Sequence, residues 1–239
     1  MLGRGNFAAN LNNLILEKGG AITAQDLVDI GNAEDYLRVS SNISSVLEYV
    51  LAIQHDYDIS QVYTFASTKM PYFAVLLSVD KPVHVYLTAD EEAPFSPSEL
   101  ERLQELGCHL HLHRGQPTAD ETAVVLSTQT VTEHTFSIVD GVIQPNVLFL
   151  NNLDTIPSAK ILTHRKRMAT PITTPAGLRQ LQILAGIRYP QVHHDTTLHL
   201  TSLLYITEPR LNKSLLLSPL PSLLLYPPGG HLTCQPGRY

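Results

Sequence analysis

The chain has 239 residues, of which 44% are hydrophobic and 16% are charged, and its formal net charge at pH 7 is −6. This composition excludes a largely disordered chain, and the negative charge argues against a nucleic-acid partner, which needs a basic footprint. The two cysteines are too few for a disulfide framework. The N-terminus lacks the apolar stretch of a signal peptide, and no apolar run reaches the roughly 18 residues of a transmembrane helix. We therefore predict an intracellular, cytoplasmic protein without a membrane partner.

Helical patterns fill the first 56 residues. Apolar side chains at spacings of three and four residues predict a first helix, which ends at Gly19-Gly20. Thr23 and Asp26 form a loose capping pair at the start of a second helix. A third helix is predicted over residues 41–53, and we expect all three helices to pack through their apolar stripes.

Strand and helix patterns alternate through the central part of the chain. The predicted strands cover residues 59–65, 82–87, 108–113 and 122–127, and the predicted helices cover residues 70–79 and 98–106. Ser98 and Gly107 are the predicted N-cap and C-cap of the second of these helices. Strand–helix–strand alternation with short loops is typical of a parallel sheet covered by helices. We therefore predict an α/β fold with a Rossmann-like, mostly parallel sheet.

The last third of the chain begins with strand patterns and ends in proline-rich sequence. Residues 134–150 predict a β-hairpin with Asp140-Gly141 as its turn. The basic run over residues 164–167 is interpreted as a solvated loop, with an acidic partner or a phosphate as the alternative. A helix is predicted over residues 173–186 and a further strand over residues 197–206.

These patterns predict three parts: an N-terminal helical segment over residues 1–56, an α/β domain over residues 57–206, and a Pro/Leu-rich C-terminal tail over residues 207–239. The prolines of the tail break any helix or central strand. Two interpretations of the tail stay open. It either packs along the body or a protein partner, or it is a chain end that adds little to function.

The junction between the first predicted strand and the helix after it is the best functional clue. Ligands of parallel α/β sheets bind beyond the carboxyl ends of the strands, where the next helix offers unpaired N–H groups and a partial positive charge. We predict that Thr64, Ser67, Thr68 and Lys69 bind a phosphate group there, and that Asp90 binds a sugar-like hydroxyl group. The alternatives are that Ser67 or Thr68 only caps the helix and that Asp90 lies in a solvated loop. Neither GxGxxG nor GxxxxGK[ST] is present.

Residues 60–113, with "YTFASTKMPYFAVLLSV", "VHVYL" and "LGCHLHLH", resemble three families that place a Ser/Thr-rich phosphate loop at such a junction. They are sugar-phosphate isomerase domains, pyridoxal-phosphate enzymes of cysteine and methionine metabolism, and isomerase-like regulatory subunits of a translation-initiation exchange factor. The pyridoxal-phosphate resemblance implies a Schiff-base lysine, and Lys160 lies too few residues beyond the junction for that role. The resemblance selects none of the three families, so the cofactor is left open.

Histidines alternate along "GCHLHLHRG". On a strand, His109, His111 and His113 project to one face, and such imidazoles are able to bind zinc. A further ligand would come from His84, Asp120, Glu121 or His134. We interpret the run as a half-buried strand face and predict no metal, with zinc at these histidines as the alternative.

Two functions stay open. The first is an α/β protein that binds a small phosphorylated metabolite at the strand-to-helix turn, and the sequence leaves open whether it is an enzyme. The alternative is a non-catalytic protein-interaction subunit that keeps the α/β scaffold without an active site and contacts its partner through the C-terminal tail.

Overall fold

The structure is a computed structural model, and the residues it describes are 2–19, 21–34, 39–129 and 137–186. The chain divides into two units, Met1–Leu181 and Gln182–Tyr239. The predicted strand over residues 197–206 and the predicted tail over residues 207–239 lie outside the described residues. The division into an N-terminal helical segment, an α/β domain and a tail stays a prediction.

Six strands form one mixed sheet in the described part of the chain. They are β1 (Val62–Thr64), β2 (Val83–Leu87), β3 (Leu110–Arg114), β4 (Val124–Ser127), β5 (Gly141–Gln144) and β6 (Val147–Leu150). Their order across the sheet is β1-β6-β5-β4-β2-β3. Strands β5, β4, β2 and β3 are parallel neighbours, and β6 runs antiparallel to β5 and to β1. The predicted α/β class is confirmed, with one reversed strand inside the sheet.

Seven α-helices lie among the described residues. They are α1 (Arg4–Lys18), α2 (Ala24–Asp29), α3 (Asn42–Gln54), α4 (Met70–Leu76), α5 (Pro97–Glu105), α6 (Ser158–Met168) and α7 (Thr174–Leu184). The first three are the predicted N-terminal helices, and the predicted capping pair of Thr23 and Asp26 begins α2. None of these helices is both long enough and apolar enough to span a bilayer.

Helices cover both faces of the sheet. On one face α4, α5 and α6 pack against strand residues such as Val85 and Leu126. On the other face α3 and α7 pack against Val125 and Phe149, and α1 packs on the far side of α3. Neighbouring strand residues therefore point into different cores, as the period of two requires. The strand ends are then the natural places for a ligand to reach the sheet.

The start of α5 differs from the prediction. Its N-cap is Ser96 rather than Ser98: the Ser96 hydroxyl accepts from the Glu99 N–H, and the Glu99 carboxylate accepts from the Ser96 N–H at 2.8 Å. This capping box needs the acidic residue three positions after the cap, and Pro97 suits the first helical position. Ser98 also has an acidic residue, Glu101, three positions later, but no proline follows it at the first helical position. The helix already begins at Pro97, so Ser98 lies inside it and the predicted cap was wrong.

The hairpin turn also lies elsewhere than predicted. Asp140-Gly141 leads into β5, and the turn that joins β5 to β6 is Pro145-Asn146. Asn146 has a φ of 64°, which asparagine tolerates better than most residues. Gly141 serves close packing instead, since a Cβ there would lie 2.9 Å from the Phe149 carbonyl oxygen. Of the predicted hairpin, residues 134–136 lie outside the described part of the chain.

The basic run over residues 164–167 is part of helix α6, so its interpretation as a solvated loop was wrong. Ile161 and Arg165 are both fully buried on this helix. Residues four apart lie on the same helix face, and this face of α6 turns toward the interior. The guanidinium group of Arg165 is therefore buried on the same helix face as Ile161.

Candidate functional site

An open cleft of about 660 Å³ lies at the carboxyl edge of the sheet and is called here the carboxyl-edge cleft. It is lined by Thr68, Lys69 and Tyr72 after β1, by residues 91–97 and Glu99 after β2, and by residues 143–145 at the end of β5. Strands β1, β2 and β5 run in the same direction, so these three stretches meet at one edge. Open α/β sheets bind their ligands at this edge.

The structure brings only part of the predicted ligand-binding set together. Thr68 and Lys69 line the carboxyl-edge cleft, whereas the exposed Ser67 and Asp90 lie outside its lining. Thr64 is fully buried, and its side chain points to the α3 side of β1. The ligand-binding role of these five residues stays a prediction.

Neither Ser67 nor Thr68 caps α4, so the capping alternative was wrong. The N-cap position is Lys69, which makes no side-chain hydrogen bond to the helix. The Met70 N–H already donates to the Ser67 carbonyl oxygen at 3.3 Å, and Pro71 has no N–H to offer. With seven residues, α4 is also short. An anion at this end of the cleft would therefore depend on side chains rather than on the helix terminus.

Lys69 is paired with a carboxylate in the cleft. Its Nζ lies 2.5 Å from Glu99 Oε1 and 5.3 Å from the centre of the Phe95 ring. The hydrogen bond from Lys69, followed by those from Ser96, lowers the pKa of Glu99 from 4.5 to about 2. The two side chains are 39% and 42% exposed. Because water competes for such an exposed pair, an incoming acidic group can replace Glu99 at little cost.

The loop after β2 forms one wall of the cleft and is fastened from both neighbouring strands. Arg114, the last residue of β3, donates to the carbonyl oxygens of Thr88, Ala89 and Glu91 at 2.7–3.0 Å. Thr128, which follows β4, donates its hydroxyl to the Glu91 carboxylate. The Thr88 hydroxyl donates to the same Glu91 oxygen at 3.3 Å. The position of Glu91 is therefore set by residues of three strands.

Carboxylates outnumber cations in the described lining of the cleft. Glu91, Glu92 and Glu99 contribute negative charge, and Lys69 contributes the positive charge. A cleft of one sign concentrates its field and favours ligands of the opposite sign. The lining thus attracts an ammonium group, and it repels a phosphate that brings no cation with it.

Thr64 belongs to a group of four polar and charged residues, called here the edge cluster: Arg4, Glu48, Thr64 and Arg165. The last three are buried, and the side chain of Arg4 is 9% exposed. The Thr64 N–H and hydroxyl donate to Glu48 Oε1 at 2.9 and 2.8 Å. Arg165 Nη1 donates to the same oxygen and, at 3.2 Å, to the Thr64 carbonyl oxygen. Arg4 Nε lies 3.3 Å from Glu48 Oε2, and Arg4 Nη2 donates to the Val62 carbonyl oxygen at 2.5 Å.

The edge cluster covers the open edge of the sheet. β1 is the outermost strand, and its outward carbonyl groups accept hydrogen bonds from Arg4 and Arg165 instead of from a further strand. Charged side chains at an edge oppose pairing with another chain.

Burial alone raises the pKa of Glu48, but the charges of Arg165 and Arg4 and the hydrogen bonds from Thr64 outweigh burial. The pKa of Glu48 therefore lies below its ordinary value of 4.5.

Sequence reasoning missed the edge cluster. The available signal was Glu48 itself, a lone acidic residue in the apolar run "VLEYVLAI" of α3. A charge in such a run is solvated only if it lies off the apolar stripe, and Glu48 lies on it beside Leu47 and Leu51. Nothing local pointed to Arg165, because its partner is 117 positions away along the chain.

The predicted histidine face is assembled from two strands. In the parallel register of β2 and β3, His84 lies beside His111 and Tyr86 lies beside His113. The ring centre of His84 is 5.0 Å from that of His111 and 4.9 Å from that of His113. His109 precedes β3. We call His84, His111 and His113 the histidine cluster.

Asp120 stands next to the histidine cluster, with Oδ2 3.8 Å from His84 Nδ1. Two of the predicted further ligands, His84 and Asp120, are therefore at the predicted place, and His134 lies outside the described residues. Within the described residues, no group of three or more His, Cys, Asp or Glu side chains is already arranged to hold a metal ion.

No protein-family model matches the sequence, and no curated protein matches it. Among solved structures, the chain is similar to a C-DES mutant with glycine covalently linked to the PLP cofactor. The sequence identity is 13% and the TM-score is 0.24, and the match covers 51% of this chain and 33% of that chain. A similarity of this low degree supports no conclusion about the fold or the ligand of this chain.

Proposed function

We propose that this α/β protein binds a small zwitterionic metabolite in the carboxyl-edge cleft. The observation that carries the proposal is the lining of the cleft, which has Thr68 and Lys69 on one stretch and Glu91 and Glu92 on another. The volume of about 660 Å³ is in the range of small-molecule sites. A ligand with both an acidic group and an amino group matches both stretches.

The acidic group of the ligand binds Lys69 and Thr68. A phosphate or a carboxylate takes the place of Glu99 at the Lys69 ammonium, and the exposed Thr68 hydroxyl donates a second hydrogen bond. Charge-assisted hydrogen bonds of this kind are about twice as strong as neutral ones. The phosphorylated metabolite predicted from the sequence is one form of this ligand.

The amino group of the ligand binds Glu91 and Glu92. Glu91 is held in place by Thr88 and Thr128, so little side-chain freedom is lost when a ligand arrives. An ammonium at this wall also offsets the negative charge that a bare phosphate would meet. This is the reason to propose a zwitterion rather than a simple phosphate ester.

The Rossmann-like description of the scaffold is part of the same proposal. From β2 the chain continues to β3 on one side, and it later returns to place β4 on the other side of β2. Such a switch in strand order opens a crevice between the loop that follows β2 and the loop that follows β4, at the carboxyl ends of these strands. Glu91 follows β2 and Thr128 follows β4, so the wall of the cleft lies at that crevice.

Isothermal titration calorimetry with four probes tests the proposal. Phosphoserine and aspartate carry both groups, glycerol 3-phosphate lacks the amine, and ethanolamine lacks the acid. We expect phosphoserine and aspartate to bind at least tenfold more tightly than glycerol 3-phosphate and ethanolamine. Tighter binding of phosphoserine would indicate a phosphate as the acidic group of the ligand, and tighter binding of aspartate a carboxylate. Equal binding of glycerol 3-phosphate would refute the zwitterion, and no binding of any probe would refute the site.

Four variants locate the binding. Lys69→Ala and Glu92→Gln are expected to weaken the better zwitterion at least tenfold. Lys81→Ala and Glu101→Gln change exposed residues outside the cleft lining and are expected to leave the affinity unchanged. The proposal fails if the control variants lose as much affinity as the cleft variants, or if none of the four variants loses affinity. Circular dichroism checks that each variant is folded.

The second candidate function is a protein-interaction subunit, and it rests on composition. After residue 212, Lys213 and Arg238 are the only charged residues in a sequence rich in Leu, Pro and Ser. An apolar segment of this kind suits a groove on a protein partner. Light scattering of the full chain and of a chain ending at residue 206 tests this candidate, which requires assembly or partner binding in the longer form alone.

A further inference from the structure

The histidine cluster lies on a part of the sheet that solvent reaches. β3 is the edge strand, His111 is exposed, and the side chain of His84 is 24% exposed. The same strands bury their other residues, such as Val85, in the opposite core. The three imidazoles on these neighbouring strands therefore share one face of the sheet, where His111 is exposed and the Nε2 atom of His113 is buried.

We infer that His84, His111 and His113 bind a divalent transition metal ion of the Zn²⁺ type. Two imidazoles that share a tetrahedral zinc ion at about 2.0–2.1 Å have ring centres roughly 5 Å apart. The ring centre of His84 is 5.0 Å from that of His111 and 4.9 Å from that of His113. The register of β2 and β3 thus places His84 at this spacing from each of the other two imidazoles.

The orientation of the rings has to change when the ion enters. His84 and His111 meet edge to face, at 83°, so their nitrogen lone pairs do not yet converge on one point. In their present orientation the described side chains form no group that could hold a metal ion. Because His111 is exposed, its ring turns about its side-chain torsions without displacing the core. The ordering cost places the expected affinity in the micromolar range.

A neighbouring carboxylate favours this use of the imidazoles. Asp120 lies 3.8 Å from His84 Nδ1, and a carboxylate at one ring nitrogen leaves the other free for the metal. Asp120 is itself held by the N–H and the hydroxyl of Thr122, at 2.9 and 2.6 Å.

His113 supplies an independent observation. Its Nε2 is buried and has no hydrogen-bond partner, an arrangement that costs free energy in a folded protein. The ring is kept in place by Tyr86, which stacks on it with ring centres 5.0 Å apart. A metal ion would give this nitrogen the partner that it lacks. With three imidazoles bound, solvent occupies the fourth position.

Calorimetric titration of untagged protein with Zn²⁺ at pH 7.5 tests the inference. His84→Ala and His111→Ala are expected to weaken the micromolar binding at least tenfold, and Asp120→Asn about tenfold. His109→Ala is the matched control, since it removes a histidine of the same run that stands outside the cluster. We expect this variant to bind as the wild type does.

A thermal melt provides a second measurement that does not depend on His84→Ala folding well. Zn²⁺ is expected to raise the melting temperature of the wild type and of His109→Ala but not that of the exposed variant His111→Ala. Equal responses of His109→Ala and His111→Ala would overturn the site. So would an absence of binding at 100-fold excess of Zn²⁺ over a micromolar Kd.

Discussion

Replacing Arg165 with methionine tests what holds the edge cluster together. Glu48 and Arg165 are both fully buried, and Arg165 Nη1 donates to Glu48 Oε1. Without Arg165, the Glu48 carboxylate stays buried with Thr64 and Arg4 as its partners. Removing one partner of a buried ion pair costs about 3–5 kcal/mol, because the remaining charge is out of water and only partly compensated.

The remaining contacts place the expected loss at the lower end of that range. Arg4 Nε is still 3.3 Å from Glu48 Oε2, and methionine keeps much of the apolar stem of the arginine. We therefore expect about 3 kcal/mol. In a unit of the size of Met1–Leu181, each kcal/mol lowers the melting temperature by about 2–4 °C. The expected fall is thus about 6–12 °C in a thermal melt, and urea denaturation measures the free energy directly.

Lys166→Met is the matched control for this prediction. Lys166 is the next residue of α6 and pairs with Glu34 at 2.8 Å, but its side chain is 34% exposed. Such a pair contributes less than about 1 kcal/mol. If Arg165→Met loses no more than Lys166→Met does, the edge cluster does not stabilise the fold as described. A double-mutant cycle with Glu48→Gln should also show that the two losses are not additive.

Three further predictions concern Glu48, Gly141 and Arg114. The pKa of Glu48 lies below its ordinary value of 4.5 in the folded protein. Its contribution to stability is therefore complete above pH 4.5 and is lost as the pH falls through the folded-state pKa. Glu48→Gln should flatten the acid side of a plot of unfolding free energy against pH, and an unchanged plot would contradict this. Gly141→Ala should cost about 1–3 kcal/mol in urea denaturation, since its Cβ would lie 2.9 Å from the Phe149 carbonyl oxygen. Arg114→Ala should speed amide hydrogen exchange in residues 88–91 while α5 stays protected, and uniform protection would argue against the fastening of the loop.

Local sequence determined most of the helices and the alternation of strands and helices, with α6 and the turn between β5 and β6 as the exceptions. The capping pair of Thr23 with Asp26 and the apolar stripe of α3 each involve residues that are close together in the sequence. Such local interactions can be predicted without knowledge of the tertiary structure. The sequence also indicated one stretch of the cleft lining, since Thr68 and Lys69 follow β1 and ligands of α/β sheets bind beyond the carboxyl ends of the strands. The misplaced cap at Ser98 was a local error too: both serines have an acidic residue three positions later, and Pro97 already favoured Ser96.

Only the tertiary structure decided which charged residues are buried and which are available to a ligand. Thr64 was predicted to face a phosphate, yet the strand turns its side chain toward α3, where Glu48 and Arg165 meet it from distant parts of the chain. His84 joined the histidine cluster because the register of β2 and β3 places it beside His111. Burial and register depend on how whole elements pack, and the free energies involved come from contacts that no stretch of ten or twenty residues contains.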